Sequence, residues 1–224
     1  MNPATTPAPP RRLRADAVRN QQRILAAARH LFAERGLEVT LDDVAEAANV
    51  GIGTVYRRYA NKHELINEVL TTGMTEVADA AEAAGANPDA WAGLIEFCDF
   101  ACRHMADNRG LGEMMLSVPE SVQQLGCVRD RVESTVNHLL EHAISAGVLR
   151  PGIVGTDFFA LLTMVESMAT LTRPVNPEAW RRYLAILLDG IRGDSVPRQP
   201  LPVDPLTEDE IHAAKHAVFA ARKK

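Results

Sequence analysis

The twenty residues from Thr40 to Tyr59 leave the backbone few choices. Thr40 followed three positions later by Asp43 is a capping pattern that opens a helix. Val44, Ala45 and Ala48 then recur at helical spacing and mark an inward stripe. Asn49 stands where the chain must turn sharply, and asparagine is the non-glycine residue best suited to a left-handed backbone. A third helix is expected from Ile52 to Tyr59, with Val55 and Tyr59 one turn apart and facing the helices before it. The first helix lies upstream, from near Ala15 to Glu34. Its stripe is Val18, Leu25, Ala28 and Phe32, flanked by Ile24 and Leu31, and Gly36 is placed to end it.

The rest of the chain continues in helical periods. Asn61 and Glu64 cap a long helix through about Ala84, and Gly85, Asn87 and Pro88 break it. A helical pattern runs from Asp89 to about Asp107, followed by a loop at Asn108–Gly112. Pro119 fits the first turn of a helix to about Ala146, closed by Gly147. Two strongly apolar segments follow, Thr156–Thr172 and Pro177–Ile191. No strand pattern and no repeat of solenoid period is present. The expectation is an all-α protein, with an N-terminal three-helix helix-turn-helix domain and a larger helical domain for effector binding and dimerisation. The boundaries read as a disordered basic arm over 1–14, the helix-turn-helix over 15–62, the helical domain over 63–194, and a Pro-rich linker with a C-terminal helix over 195–224.

Charge points to a partner. The net charge is −5, but it is unevenly placed. Residues 1–30 carry six arginines (Arg11, Arg12, Arg14, Arg19, Arg23, Arg29) against the single acid Asp16. Residues 1–70 are net positive and residues 71–224 net negative, so the N-terminal end is the one suited to a phosphate backbone. No apolar run approaches the roughly 18–20 residues of a membrane span. The Pro/Ala/Thr-rich start has no apolar core of a signal peptide. Three cysteines argue against a secreted disulfide framework. A cytoplasmic protein without a membrane partner is expected.

On the third helix Gly53, Thr54 and Arg57 point away from Val55 and Tyr59, flanked by Tyr56 and Arg58. A helix entering a major groove needs that short, hydroxyl-bearing, cationic face. Lys62 falls in the first turn of the next helix, where ammonium and free N–H groups address one phosphate. The run RILAAARHLFAERG, the segment TLDDVAEAANV, GIGTVYRRY and ANKHEL together resemble the tetracycline-repressor (TetR) family over residues 20–70. Asn49 stands where that family usually has a turn glycine, and Gly51 where it usually has a capping serine or threonine. The resemblance implies phosphate contacts from Thr40, Tyr56, Arg57, Arg58 and Lys62, and base-edge contacts from Ile52, Gly53 and Thr54. It implies a DNA-binding regulator, in most cases a repressor released from a palindromic operator by a ligand. The terminal helices and the Pro-rich tail resemble the SbtR-like subgroup.

The helix Thr156–Thr172 is apolar on more sides than one neighbour can cover, and the helix after it adds one apolar stripe. Phe158, Leu161, Leu162 and Val165 on the first, with Trp180, Leu184, Leu187 and Ile191 on the second, are the expected homodimer residues. The middle of the chain is rich in soft and aromatic side chains. Trp91, Phe97, Phe100, Met105, Met114, Met115, Met164 and Met168 are expected around a small, mostly apolar effector, with His104 and His138 orienting it. No cofactor or structural metal is expected.

Two other readings compete. An effector-free DNA-binding dimer needs only the same two helices. His138, Glu141 and His142 spell H-x-x-E-H, the inverted motif of some zinc hydrolases, but no third ligand pattern accompanies it. Cys98 and Cys102, one turn apart, read as small buried hydrophobes.

Overall fold

A computed structural model describes residues 11–107, 125–172, 176, 178–193 and 209. In chain order its helices are α1 (Arg11–Arg35), α2 (Leu41–Ala47), α3 (Ile52–Arg58), α4 (Lys62–Gly85), α5 (Ala90–Asp107), α6 (Gly126–Ser145), α7 (Gly155–Thr172) and α8 (Trp180–Ile191). A 3₁₀ turn, Gly36–Glu38, follows α1. Among the described residues there is no strand, only an isolated bridge between Leu149 and Arg192. The fold is all-α, as the periodicity requires.

Helix α1 begins at Arg11, so residues 11–14 lie in its first turn and not in a free arm. Arginine, leucine and alanine are strong helix formers, and the segment carries them without a breaker. Gly36 adopts φ +59°, the left-handed end expected of it. The expected loop at 108–112, the helix start at Pro119, Met114 and Met115, and the Pro-rich tail lie outside the described residues; of the C-terminal helix only Asp209 is described.

The chain forms two compact units, one ending at Val69 and the other beginning at Leu70. The division falls inside α4, not at residue 62. Leu65, Ile66 and Val69 of α4 are buried, so its first two turns complete the N-terminal core. That core also holds Ile24, Ala28 and Phe32 of α1, Val44 and Ala45 of α2, and Val55 with Tyr59 from α3 and its end. Val18 is the exception to the stripe expected on α1 and is 52 % exposed. Among residues 16–35 of that helix the first buried side chain is Ile24.

The second unit is built around one apolar cluster. Leu94, Phe97, Cys98 and Cys102 come from α5, and Leu139, Leu140 and Ala143 from α6. The stripes Phe158, Leu162, Val165, Ala169 of α7 and Trp180, Leu184, Leu188, Ile191 of α8 close it. Phe97 and Phe158 stack with ring centroids 6.0 Å apart. Six of the eight residues expected at a dimer surface are therefore core of one protomer: Phe158, Leu162, Val165, Trp180, Leu184 and Ile191. Leu161 and Leu187 pack partly buried against the same cluster. Among the described side chains of these two helices, the large apolar ones left outside are Met164, Tyr183 and Ile186. Helix α7 is apolar nearly all round, so periodicity could not say which stripe its own chain would claim.

The end of α8 is tied to the turn after α6. The Arg150 N–H donates to the Ile191 carbonyl (2.9 Å) and the Gly193 N–H to the Val148 carbonyl (2.7 Å). Burial pushes both the Cys98 and Cys102 thiols up, Cys102 to about 12. Among the described residues no helix is long and apolar enough to cross a membrane.

Candidate nucleic-acid interface

Thr40 builds the start of α2. Its hydroxyl accepts from the Asp43 N–H (3.2 Å), and the Asp43 carboxylate accepts from the Thr40 N–H (2.8 Å) and hydroxyl (2.6 Å). This reciprocal box satisfies two of the free N–H groups at the helix start. The Thr40 bonds, with Arg35 nearby, hold the Asp43 carboxyl below its ordinary range against the opposing effect of desolvation.

The turn into α3 pivots on Asn49, whose φ is +50°. It is the one non-glycine residue with positive φ among those described. Arg23 of α1 donates from Nη2 to the Asn49 carbonyl at 2.8 Å. The turn is thus fixed from outside by a charged donor as well as by its own geometry. Gly51 is the N-cap of α3 and offers no side-chain cap bond; its carbonyl accepts from the Thr54 N–H at 2.7 Å.

Val55 and Tyr59 are buried and anchor α3 to the core. Turned outward are Ile52, Gly53, Tyr56, Arg57 and Arg58, with Thr54 half-buried. Ile52 is 53 % exposed and carries its apolar side chain outward. Arg57 reaches the Thr54 hydroxyl at 3.5 Å, a weak contact within its own helix. Tyr56 hydrogen-bonds to the Asp42 carboxylate, which raises its phenol. Lys62 is the first residue of α4. The preceding corner is held by Asn61, whose side-chain oxygen accepts from the Glu64 N–H (3.0 Å), and by Glu64, which accepts from the Ala60 N–H (2.8 Å). Thr40, Ile52, Gly53, Thr54, Tyr56, Arg57 and Lys62 all belong to the N-terminal unit.

Arg58 is placed differently. Its Nη2 donates to Glu68 of α4 at 3.0 Å and its Nε to the Tyr59 hydroxyl at 3.3 Å. Burial pulls the guanidinium down, and the bonds to Glu68 and Tyr59 outweigh it. Burial also raises the Glu68 carboxyl, but Arg58 and Gln21 overcome this and hold it below its usual range. Sequence reasoning missed Gln21, Asp42 and Glu68, and counted Arg23 as basic charge without its bond to the Asn49 carbonyl. Only Glu68 had a signal, as an acid on α4 able to meet a cation at the end of α3.

In the second unit the expected effector residues separate. Phe97 is buried, while Trp91, Phe100, His104, Met105 and Met168 are half-buried. The Phe100 and His104 rings stack at 5.5 Å, and His104 Nδ1 lies 3.7 Å from a Glu76 carboxylate oxygen of α4. Arg192 covers the Trp91 ring at 5.3 Å. Met164 and His138 are exposed and do not join them. Both lie on outward stripes of their helices, which a count of soft residues does not resolve. Glu141 is exposed beside His138, and among the described residues no group of three or more His, Cys, Asp or Glu is placed to hold a metal ion.

Residues 24–69 match the family described as "Bacterial regulatory proteins, tetR family", and residues 87–193 match "Transcriptional regulator SbtR-like, C-terminal domain". The chain is 28 % identical over 178 residues, 74 % of this chain and 91 % of the relative, to the uncharacterized HTH-type transcriptional regulator YhgD of Bacillus subtilis. It is 38 % identical over 60 residues, 26 % of this chain and 27 % of the relative, to a probable acrEF/envCD operon repressor of Escherichia coli. A TetR transcription regulatory protein from Mycobacterium vanbaalenii has a similar crystal structure, with TM-score 0.62 and 29 % identity, covering 80 % of this chain and 99 % of that one. These similarities give no support to a hydrolase at His138, Glu141 and His142 and identify a DNA-binding transcriptional regulator, not an enzyme. With its capped α2, its left-handed turn and its exposed α3 in front of an SbtR-like helical domain, the chain belongs to the TetR family.

Proposed function

We propose that the protein is a homodimeric, cytoplasmic repressor that binds a palindromic operator through α3 and leaves it when a small, mostly apolar ligand enters the helical domain. The observation that carries the DNA reading is the exposed face of Ile52, Gly53, Thr54, Tyr56 and Arg57 on a helix anchored by Val55 and Tyr59. Thr40 and Lys62, at the starts of the flanking helices, add phosphate contacts on either side of it. Ile52 and Gly53 carry no side-chain hydrogen-bonding group, so sequence preference draws on methyl contacts and duplex shape. Two copies of α3 would address half-sites about one DNA turn, ~34–36 Å, apart.

The ligand reading rests on residue chemistry: Phe97, Phe100, Met105 and Met168 are soft or aromatic, and His104 stacks on Phe100 beside Glu76. Such a set suits an apolar molecule with a single polar group. Its effect on operator affinity is bounded by its differential affinity for the two dimer states.

The test begins with the DNA flanking the protein's own gene, searched for a palindrome and used as a labelled duplex. Arg57→Ala and Lys62→Ala each weaken binding across operator variants and reduce the slope of log affinity against log salt by about 0.9. Thr54→Ala changes the ranking of operator variants instead. Unchanged affinity in the Arg57→Ala/Lys62→Ala double variant at physiological salt removes this docking face. A screen of amphipathic metabolites for thermal stabilisation, followed by operator release, tests the ligand. If no stabilising compound releases DNA, the effector-free reading takes its place.

A further inference from the structure

Arg58 sits in the motif position where the family resemblance implies a phosphate contact, yet its guanidinium is already engaged. Nη2 donates to Glu68 Oε1 at 3.0 Å, Nε donates to the Tyr59 hydroxyl at 3.3 Å, and the guanidinium carbon lies 5.6 Å from the Tyr59 ring centre. Glu68 in turn accepts from the Gln21 side chain of α1. One carboxylate on α4 therefore gathers a donor from α1 and a donor from the last residue of α3. Its side chain is 27 % exposed and that of Arg58 43 %, so the pair is partly withdrawn from water.

We propose that Arg58 is a positioning residue, which fixes the recognition helix through Glu68 and Tyr59 and does not serve as a phosphate contact. Taking the guanidinium to a phosphate would break two hydrogen bonds and leave the Glu68 carboxylate, still bonded to Gln21, without the arginine that pairs with it. A half-buried carboxylate is costly once its cation is withdrawn. Among the described residues Arg57 has no such tie: it makes only the long contact to Thr54. The two adjacent arginines therefore divide the work: Arg57 faces outward to the duplex, and Arg58 locks the C-terminal end of α3 to α4 and, through Gln21, to α1. Tyr59, buried at 1 % exposure, is the floor of the lock.

This inference rests on α3 being the DNA-contacting helix, and the test separates the two. Binding of the full-length chain to an operator duplex is followed by fluorescence anisotropy over a series of salt concentrations. Arg58→Gln and Glu68→Gln are expected to weaken binding by similar factors, about tenfold, with the double variant no worse than either single one. The salt slope stays at the wild-type value in all three, because no phosphate contact is lost. The exchanged variant Arg58→Glu/Glu68→Arg recovers most of the lost affinity, which no phosphate-contact role permits. Arg58→Lys keeps a charge for a phosphate but loses the two-pronged reach, so it loses affinity at constant slope; it also serves if the glutamine variants unfold by circular dichroism.

The proposal is overturned if Arg58→Gln lowers the slope by about one contact while Glu68→Gln binds as well as or better than wild type. Full affinity of Arg58→Lys overturns it too. Lys62→Ala in the same series reports on the interface itself. A wild-type slope there sinks the docking face, while the Arg58 and Glu68 variants still decide the lock.

Discussion

Replacing Ile186 by arginine should separate the protomers without unfolding either. The stripes of α7 and α8 that face the protomer core are filled by Phe158, Leu162, Val165, Trp180, Leu184 and Leu188. The opposite stripes leave Met164 and Ile186 each 56 % exposed and Tyr183 39 % exposed. Burying a large apolar side chain completely is worth about 1.5–3 kcal/mol. Roughly half of each of these three remains to be covered, or about 1 kcal/mol apiece. A two-fold interface counts each residue twice, giving roughly 6 kcal/mol from the six side chains. Ile186→Arg removes two of those contributions, about 2 kcal/mol, and puts two guanidinium groups into the apolar patch, which costs about as much again. A loss of about 4 kcal/mol corresponds to roughly a thousandfold weaker association. Sedimentation velocity at micromolar concentration should then show monomers with unchanged helicity, and operator affinity should fall with dimerisation. Leu184→Arg is the contrast: this residue is 5 % exposed within its own protomer, so the variant should lose helicity and not merely its partner. A dimer that survives Ile186→Arg at micromolar concentration refutes the choice of face.

Other perturbations follow from the helix-turn-helix unit and the cysteines. Asn49→Ala keeps a β-carbon at φ +50° but loses the short polar side chain that makes this backbone tolerable, and should destabilise by up to about 1 kcal/mol in thermal melts, while Asn49→Gly, free of the β-carbon, stays at or above wild-type stability. Asp43 has its carboxyl lowered in the folded chain, so its contribution is present above the unfolded carboxylate range and is lost as pH falls through the folded value. Acid titration of thermal stability should therefore be shallower in Asp43→Asn; an identical acid limb in both proteins contradicts the role given to the capping box. In the native protein a thiol reagent at pH 8 should modify exposed Cys127 and spare Cys98 and Cys102, which react only on unfolding. Three thiols reacting together in the native state would show that the α5 core is open.

Local chemistry was readable in the sequence, and contacts across the fold were not. The Thr40–Asp43 box, the left-handed Asn49 and the glycine end of α1 are short-range requirements of the backbone, and each appears where the residues placed it. The buried pair Val55 and Tyr59 followed from helical spacing alone. The Arg23 bond to the Asn49 carbonyl spans 26 residues, and the Arg58 bond to Glu68 crosses a helix junction. Neither leaves a periodic trace. The motif position of Arg58 pointed the other way, because a family pattern records which residue stands there and not which neighbour it has acquired. The apolar helices failed for a related reason. A stripe of Phe158, Leu162 and Val165 must be buried, but its composition does not say whether its own chain or a second copy covers it. His138 and Met164 were drawn into the effector set by residue type, and the structure turns both outward.

Helix α4 bears on how proteins of this architecture can be recombined. The boundary between the two units falls between Val69 and Leu70, partway along a helix that runs uninterrupted from Lys62 to Gly85. A crossover at that boundary would cut the helix after two turns, leaving Leu65, Ile66 and Val69 packed in the N-terminal core but the carbonyls of the last turn without their helical partners. Lys62, Leu65, Ile66 and Glu68 would all ride on those two turns. A chimera that joins this reader of DNA to a foreign sensor should therefore carry α4 whole and place its seam at Ala86–Asp89, where the chain already leaves the helix.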